Sequence, residues 1–429
     1  MSVIAFLPVK EESSRVYNKN QRLLNGEPLF IRNLRKATSI RCIDTVVLDT
    51  ESDEIIKQAS DINCDILERD PRLATNETDG NDLLLNEARN ISGDIYVQIL
   101  ATSPFISKKS IRKGIKKVQS SEHDSAVLVE STSEYLWEDG RPKYDIDNIP
   151  NSNNLDKITK ETMGLYIIEH DTLFSTERRI GDNPYLIEAT SAEAIDVDYE
   201  DDLKLADYTA RGIREVEQKR FGVLRHILSS AIICDVLNEV SYDGFIGSYE
   251  SNTNTPIFGR AKTLYLRDLR SDENPDLIYN TLDIYKTIVP GDIIVVASDC
   301  TEFAFFGELN ALLAIREGAQ GALIDSLTRD IAETKKFGFP VFAKGTTPND
   351  IKGKGTIANM NKKVEINDTE IRPNDLIFAD QDGAVVIPID VEDKIIARAM
   401  EVATQENNIL TSISSDKSIS NLIEEHGKF

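Results

Sequence analysis

Behind a short apolar run, Val3–Leu7, the chain reads PVKEESSRVYNKN from Pro8 to Asn20, which sets Lys10, Ser13, Arg15, Lys19 and Asn20 on one polar loop. A phosphate chain needs cations, hydroxyls and free backbone N–H groups on irregular backbone, and a strand that empties into this loop supplies all three. A second group stands at Ile195-Asp196-Val197-Asp198, with Asp201 and Asp202 just beyond. On a strand, alternate side chains share a face, so Asp196 and Asp198 are expected to project together, with Ile195 and Val197 opposite. Two neighbouring carboxylates repel unless a cation lies between them, and oxygen donors beside a triphosphate suit magnesium, or manganese in its place.

A third group is Glu308, Arg329 and Asp330. Phe306-Gly307-Glu308-Leu309 opens a helix through Arg316, and Asp325-Ser326-Leu327-Thr328-Arg329-Asp330 lies at the exit of a strand, Ala322–Ile324. Glu308 and Asp330 thus stand at element ends, where a strand–helix–strand unit gathers its functional loops. The amides of Leu309 and Asn310 at the helix start are open to a carboxylate, and Arg329 can grip a second oxygen.

The elements that must position these groups alternate. Strands are expected at Val3–Leu7, Thr45–Leu48, Ile95–Ile99 and Ser125–Val129, and helices near Leu29–Ala37, Asp53–Ser60, Asn81–Asn90 and Lys109–Gln119. That is an α/β pattern with a mostly parallel, Rossmann-like sheet. Leu203 to Lys219 reads as a helix, and Phe221-Gly222 opens a new pattern of Gly-rich loops and β-branched strands, including Ile293–Ala297 after Gly291-Asp292. The boundary is placed at about 217, giving domains 1–217 and 218–429, with no Pro/Ser-rich linker and no internal repeat. The second half is expected to end in a helix at Glu392–Gln405; residues after about Thr411 read as a mobile tail or a short terminal helix.

At 429 residues the chain is long enough for two domains, each with a core. A net charge of −24 argues against nucleic acid as a partner, since the phosphate backbone needs a compensating basic surface. A basic loop inside an acidic protein points instead to a small anionic substrate. The four cysteines, Cys42, Cys64, Cys234 and Cys300, lie far apart with no C-x-x-C, which argues against zinc and a disulfide framework and for a reducing, cytoplasmic setting. The four scattered histidines, His123, His170, His226 and His426, suit packing or surface roles better than a metal centre or a triad. No apolar run approaches membrane-spanning length, and Val3–Leu7 reads as a first strand and not as a signal peptide.

The loop from Pro8 resembles the opening signature of the acylneuraminate cytidylyltransferase family, P-A-R-x-x-S-K-x-x-P-x-K-N. Lys10, Ser13, Lys19 and Asn20 fall at its Arg, Ser, Lys and Asn, while Ser14 replaces a Lys and Arg15 stands beside it as a substitute cation. The resemblance continues in order over about 210 residues. It includes Thr45–Thr50 with Glu51-Ser52-Asp53; Arg69, Pro71, Leu73 and Ala74; Ala101-Thr102-Ser103-Pro104; Trp137, Asp139 and Gly140; Glu161, Thr162, Gly164 and Tyr166; and Ile195 to Asp198. It implies a nucleotidyltransferase fold that binds CTP through Pro8, Lys10, Ser13, Arg15, Lys19, Asn20, Arg69, Thr102 and Ser103. Lys19 would also be catalytic, and Asp196 and Asp198 would hold magnesium. The substrate class implied is a 2-keto-3-deoxy sugar acid, activated as its CMP derivative with release of pyrophosphate, as in surface polysaccharide biosynthesis. Leu100, Ile106 and Asn151-Ser152-Asn153 depart from the family in the part that faces the sugar, which argues against common sialic acid.

Residues 221–405 resemble a different family, which contains 4-hydroxy-4-methyl-2-oxoglutarate aldolases and the regulators of ribonuclease activity A. G-E-L at Gly307 and D-x-x-x-R-D at Asp325 carry this resemblance, with Gly338 to Phe342 and Asp380 to Val386 following. It implies a swivelling β/β/α fold in which Asp330 binds a divalent metal, Glu308 assists through water, and Arg329, with Leu309 and Asn310, contacts the pyruvyl unit. Ser326 replaces the family's usual Gly. A pyruvate-type enolate adding to an aldehyde yields a 2-keto-3-deoxy acid, so the halves fit a bifunctional enzyme, with pyruvate as a further small-molecule partner. Two alternatives stay open for the second half: a trimerising or regulatory module without turnover, and an oxaloacetate decarboxylase. The resemblances also imply a homo-oligomer, dimeric through one half and trimeric through the other, which combine into a hexamer.

Overall fold

The computed structural model describes residues 1–13, 15–75, 77–415 and 417–427; Ser14 lies outside the described residues. The chain forms two compact units, Met1–Ala210 and Arg211–Phe429.

The sheet of the first unit has seven strands: β1 (Val3–Pro8), β2 (Thr45–Thr50), β3 (Asp65–Glu68), β4 (Ile95–Ile99), β5 (Ser125–Thr132), β6 (Ile158–Glu169) and β7 (Pro184–Glu188). Their order is β7-β5-β6-β4-β1-β2-β3. All neighbours are parallel except β6, which runs antiparallel to β4 and β5. Central β1 is apolar at every position up to Pro8 because both its faces are covered, as expected for a parallel strand. Val3, Ala5 and Leu7 pack with Leu34, Ile55 and Ile111, while Ile4 and Phe6 pack with Leu84, Tyr96 and Leu173.

The helices between strands are α1 (Leu29–Thr38), α2 (Asp53–Gln58), α3 (Gly80–Asn90), α4 (Lys108–Gln119) and α5 (His170–Thr176). Ser52, Asp79 and Ser107 cap α2, α3 and α4 by accepting from first-turn amides. From β1 the chain passes to β2 and β3 on one side, then returns to place β4 on the other. Such a reversal opens a crevice at the carboxyl ends of the strands.

Helix α6 runs from Glu200 to Leu224 and contains the division between the units. It passes without a break through Phe221-Gly222, where the sequence reading ended it. The Phe221 ring is buried against Phe258, 4.7 Å between centroids. Arg214 pairs with Asp292, and Glu217 pairs with Arg260, which also meets Glu392. These contacts hold the helix past a residue that alone would weaken it.

The second unit has a ten-stranded sheet. Its strands are β8 (Phe245–Gly247), β9 (Glu250–Ser251), β10 (Ile257–Asp268), β11 (Asp292–Ser298), β12 (Ala304–Phe306), β13 (Gly321–Thr328), β14 (Val341–Thr346), β15 (Gly355–Met360), β16 (Leu376–Ala379) and β17 (Ala384–Ile387). The main path is β8-β17-β16-β10-β11-β13-β14-β9, with β12 on β13 and β15 on β10. Strands β10, β11, β13 and β14 form a parallel centre. Its helices are α7 (Ser230–Glu239), α8 (Glu308–Glu317), α9 (Ile331–Lys336), α10 (Glu392–Ile413) and α11 (Ile419–His426). Helix α10 extends eight residues beyond the expected Gln405, through a stretch with no Gly or Pro to stop it.

Candidate active site

The carboxyl ends of β1, β3 and β4 border a cavity of about 460 Å³, a size that suits a small molecule. Pro8 ends β1, the next loop contributes Lys10, Ser13, Arg15, Lys19 and Asn20, Arg69 follows β3, and Leu100, Ala101 and Thr102 follow β4. Leu73, Thr75, Thr78 and Leu83 complete the wall. The loop is tied at several points: Val9 N–H donates to Asp49 O at 2.8 Å, Glu11 N–H to Glu51 Oε1 at 2.8 Å, and Asn20 Nδ2 to Lys10 O at 2.9 Å. Burial, then the neighbouring Lys19 charge, lower the proton affinity of Lys10.

Two cations of the loop converge on one carboxylate. Lys19 Nζ lies 2.9 Å from Asp198 Oδ1, and Arg15 Nη1 lies 2.6 Å from Asp198 Oδ2. The Arg15 guanidinium also sits over the Tyr199 ring at 5.6 Å, so this side chain turns toward the acidic pair. Asp196 faces Ser103, whose Oγ is 3.5 Å from Asp196 Oδ1. Ser103 itself is fully buried and does not line the cavity. Burial raises the Asp196 carboxyl above its ordinary range, and the charge of Asp198 adds to the rise.

The expected strand at Ile195–Asp198 is absent. The segment is irregular, with Val197 N–H donating to Thr102 O at 2.8 Å. The alternation survives nonetheless, because Val197 and Ile195 pack with Leu24, Leu29 and Leu203. Asp202 caps the start of α6, accepting from Asp198 N–H at 3.0 Å and Tyr199 N–H at 2.8 Å, and Asp201 pairs with Lys204. Neither joins the pair.

Asp196 and Asp198 fit a divalent cation in chemistry: two neighbouring carboxylates that supply oxygen donors. Among the described residues no group of three or more His, Cys, Asp or Glu is placed to hold a metal. Further ligands would be phosphate oxygens and water, the usual surroundings of magnesium.

Arg69 lines the cavity but is clamped from behind by Asp49. Its Nε donates to Asp49 Oδ1 at 3.0 Å, and its Nη2 to Asp49 Oδ2 at 2.8 Å and Asp49 O at 2.7 Å. Beneath it Glu87 is fully buried and accepts from Gln98 Nε2 at 3.0 Å. Burial, reinforced by Asp49, raises the Glu87 carboxyl well above its ordinary range, and Asp49 clamps Arg69 above it. Asp49, Glu87 and Gln98 were not singled out in the sequence; their signal was a charged or amide residue inside an apolar strand or helix face.

In the second unit Asp330 has a left-handed backbone, φ 56°, at the junction of β13 and α9, a conformation that costs a non-glycine residue energy. Its Oδ2 accepts from Glu308 N–H at 3.1 Å, at the first residue of α8. A Cβ on Gly307 would lie 2.6 Å from that oxygen, so any side chain there would push the carboxylate away. Arg329 Nη2 lies 2.6 Å from Asp350 Oδ2, while its Nε is 3.7 Å from Asp330. Asp350 was not anticipated. Asn310 turns its side chain to Phe305 O at 2.7 Å, and Leu309 is exposed. The oxygens of Asp330 and Glu308 suit the same kind of hard cation, with Arg329 beside them.

Among the described residues no helix is long and apolar enough to cross a membrane. Residues 4–226 match the family described as Cytidylyltransferase, and residues 230–386 the RraA-like family described as Aldolase/RraA. A putative 4-hydroxy-4-methyl-2-oxoglutarate aldolase of Halalkalibacterium halodurans is 34% identical over 153 residues, covering 34% of this chain and 67% of that protein. A 3-deoxy-manno-octulosonate cytidylyltransferase of Chlorobium phaeobacteroides is 32% identical over 111 residues, covering 26% of this chain and 43% of that protein. The match thus spans less than half of the Chlorobium protein. A solved CMP:2-keto-3-deoxy-manno-octonic acid synthetase with CTP aligns over 49% of this chain and all of its own, with 15% identity and a TM-score of 0.40.

Proposed function

Because the chain belongs to the cytidylyltransferase family through residues 4–226 and carries an RraA-like aldolase domain after it, we propose that its first domain transfers CMP from CTP to a 2-keto-3-deoxy sugar acid. The observation that carries this reading is the cavity whose loop cations, Arg15 and Lys19, meet Asp198. Lys10, Arg15 and Lys19 bind and orient the triphosphate, and the amides and hydroxyls around Ser13 and Thr102 fix its register. The sugar's anomeric hydroxyl attacks the α-phosphorus, the bond to the bridging β-oxygen breaks, pyrophosphate leaves, and the hydroxyl proton passes to solvent. Positioning and charge do most of the work in such transfers, so no phospho-enzyme forms. Asp196 and Asp198 would hold a magnesium ion, which when bound supplies charge neutralisation at the phosphates.

Pyrophosphate release with CTP, magnesium and a panel of sugar acids that includes 3-deoxy-manno-octulosonate tests the reading. Turnover with CTP and not with ATP or GTP is expected, together with its loss in Asp198→Asn. Full activity of Asp198→Asn removes the metal assignment, and silence across the panel removes the activity.

For the second domain the reading is metal-dependent chemistry on a 2-keto acid. Asp330 serves as ligand, Glu308 acts through water, and Arg329 holds the pyruvyl carboxylate. The strained Asp330 backbone supports it. The Arg329–Asp350 pair and the capping bond from Glu308 N–H favour a second reading, a scaffold in which these groups close the loop ends. Cleavage of 4-hydroxy-2-keto acids or decarboxylation of oxaloacetate by the full chain, sensitive to EDTA and untouched by borohydride, selects the first; inactivity with magnesium and manganese selects the second.

A further inference from the structure

We propose that Arg179 is the binding site for the carboxylate of the sugar acid, an inference that rests on the cytidyl-transfer reading of the first domain. Three arginines stand close to the site, and their states differ. Arg69 has spent its Nε and Nη2 on buried Asp49. Arg15 is paired with Asp198. Arg179 makes no ion pair with any carboxylate among the described residues, yet its side chain is held in place.

The guanidinium of Arg179 lies over the Tyr166 ring, 3.7 Å from the centroid. It also meets Gly80, the first residue of α3, where a Cβ would overlap Arg179 Nη1 and Cζ. Arg179 N–H donates to Asn81 Oδ1 at 2.9 Å, which ties the main chain to the same helix start. Stacking on a ring fixes the plane of a guanidinium while leaving its in-plane donors open, which is the geometry a carboxylate takes up with two parallel bonds. Asp79, the residue before α3, spends its carboxylate on capping through Asn81 and Asp82 N–H, and the Arg179 charge is a lesser influence on it.

Position favours the sugar end of the site over the nucleotide end. Thr78 and Leu83, which flank Gly80, line the cavity. Tyr166 donates its hydroxyl to Glu161 Oε2 at 2.8 Å, and Gly164, two residues before it, packs so closely on Ser103 that a Cβ would lie 2.5 Å from Ser103 Oγ. Ser103 in turn faces Asp196. Arg179 therefore stands just behind the Thr78–Leu83 side of the cavity, against Gly80, with Tyr166 beneath it on the side of Ser103 and Asp196. A sugar acid brings a second anion into the site, and Arg179 has the donors left to receive it.

The test is initial-rate kinetics of pyrophosphate release by the full chain, using 3-deoxy-manno-octulosonate and its C1 carboxamide with CTP and magnesium. Arg179→Ala is expected to raise KM for the acid about 10- to 100-fold, the worth of a charge-assisted pair, with KM for CTP within about twofold. Wild type is expected to prefer the acid over the amide by a similar factor, and Arg179→Ala to lose that preference. Arg179→Lys, which keeps the charge without the planar fork, should fall between them and decides the matter if the alanine variant does not fold. Unchanged KM for the acid and an unchanged acid-to-amide ratio in a folded variant overturn the assignment of Arg179 alone. Absence of wild-type turnover with every sugar acid overturns the cytidyl-transfer reading beneath it.

Discussion

The two candidate sites have opposite charge balances within one strongly acidic chain. At the first, Lys10, Arg15 and Lys19 on a single loop outnumber the two carboxylates Asp196 and Asp198 that they face. At the second, one cation, Arg329, stands among Glu308, Asp330 and Asp350. A surplus of positive charge receives a polyanion such as a triphosphate, and a surplus of carboxylates receives a divalent cation. In the first site the opposed charges come from segments far apart in the chain and pair directly at the border of a cavity that the cations line. In the second, local backbone geometry places Asp330 on the start of α8. Net charge therefore says little about a site; its local sign says more.

The largest effect that would break this contrast is expected at Lys19. Its side chain is almost fully buried with its ammonium on Asp198, so Lys19→Ala removes a positioned charge and leaves the carboxylate without one of its two partners. A drop of about 10²- to 10³-fold in kcat/KM for cytidyl transfer is expected, the scale of losing one electrostatic clamp. Pyrophosphate release measures it, and a change smaller than about threefold would place the phosphates elsewhere.

The legibility of these sites in the sequence follows the same division between local and distant. The loop Pro8–Asn20 could be read because its cations are close in sequence and one strand delivers them. The parallel α/β sheet could be read because β1, β2 and β4 are apolar runs separated by amphipathic helices. What was missed arises from residues brought together by the fold: Asp49 on Arg69, Glu87 beneath them, Arg179 on Tyr166, and Asp350 on Arg329. None of these pairs has a fixed spacing to recognise. The break assigned to Phe221-Gly222 failed for a related reason, since the burial of Phe221 against Phe258 outweighs the weak helix propensity of one glycine.

A second test compares the two domains by pH. In the second domain Asp375 is almost fully buried, and burial pushes its carboxyl up to about 6, although Arg372 and Ile389 N–H groups donate to it. The folded state thus holds this proton more tightly than the unfolded one. The stabilising contribution is fully present below about pH 4 and is lost as pH climbs to about 6, a change of about 3 kcal/mol for two pKa units. Asp375→Asn should remove that slope, so the difference in thermal midpoint between variant and wild type should grow from pH 4 to 6 and then stay level. A difference that does not vary with pH would show that Asp375 ionises freely. Cytidyl transfer at pH 7 should be unaffected, which separates this carboxylate from those that face phosphate.

The smallest effect is expected at Asp350, and it decides between the two readings of the second site. Arg329 and Asp350 are each partly exposed, so their pair is worth little in stability, about 1 kcal/mol or less. Its consequence lies in competition: an incoming carboxylate must displace Asp350 to gain the Arg329 fork. Asp350→Asn releases that fork while leaving the Asp330 contact with Glu308 N–H in place. Oxalate, which resembles the enolate of pyruvate, is therefore expected to bind about two- to fivefold more tightly to Asp350→Asn than to wild type in the presence of manganese, as read by calorimetry. Arg329→Lys in the same background should cancel the gain, because lysine cannot grip two oxygens in one plane. If the loop ends serve as a scaffold, Arg329 has no ligand to receive, and oxalate affinity will be the same in all three proteins. A stability loss in Asp350→Asn without any change in oxalate binding would assign the Arg329–Asp350 pair to holding the loop alone.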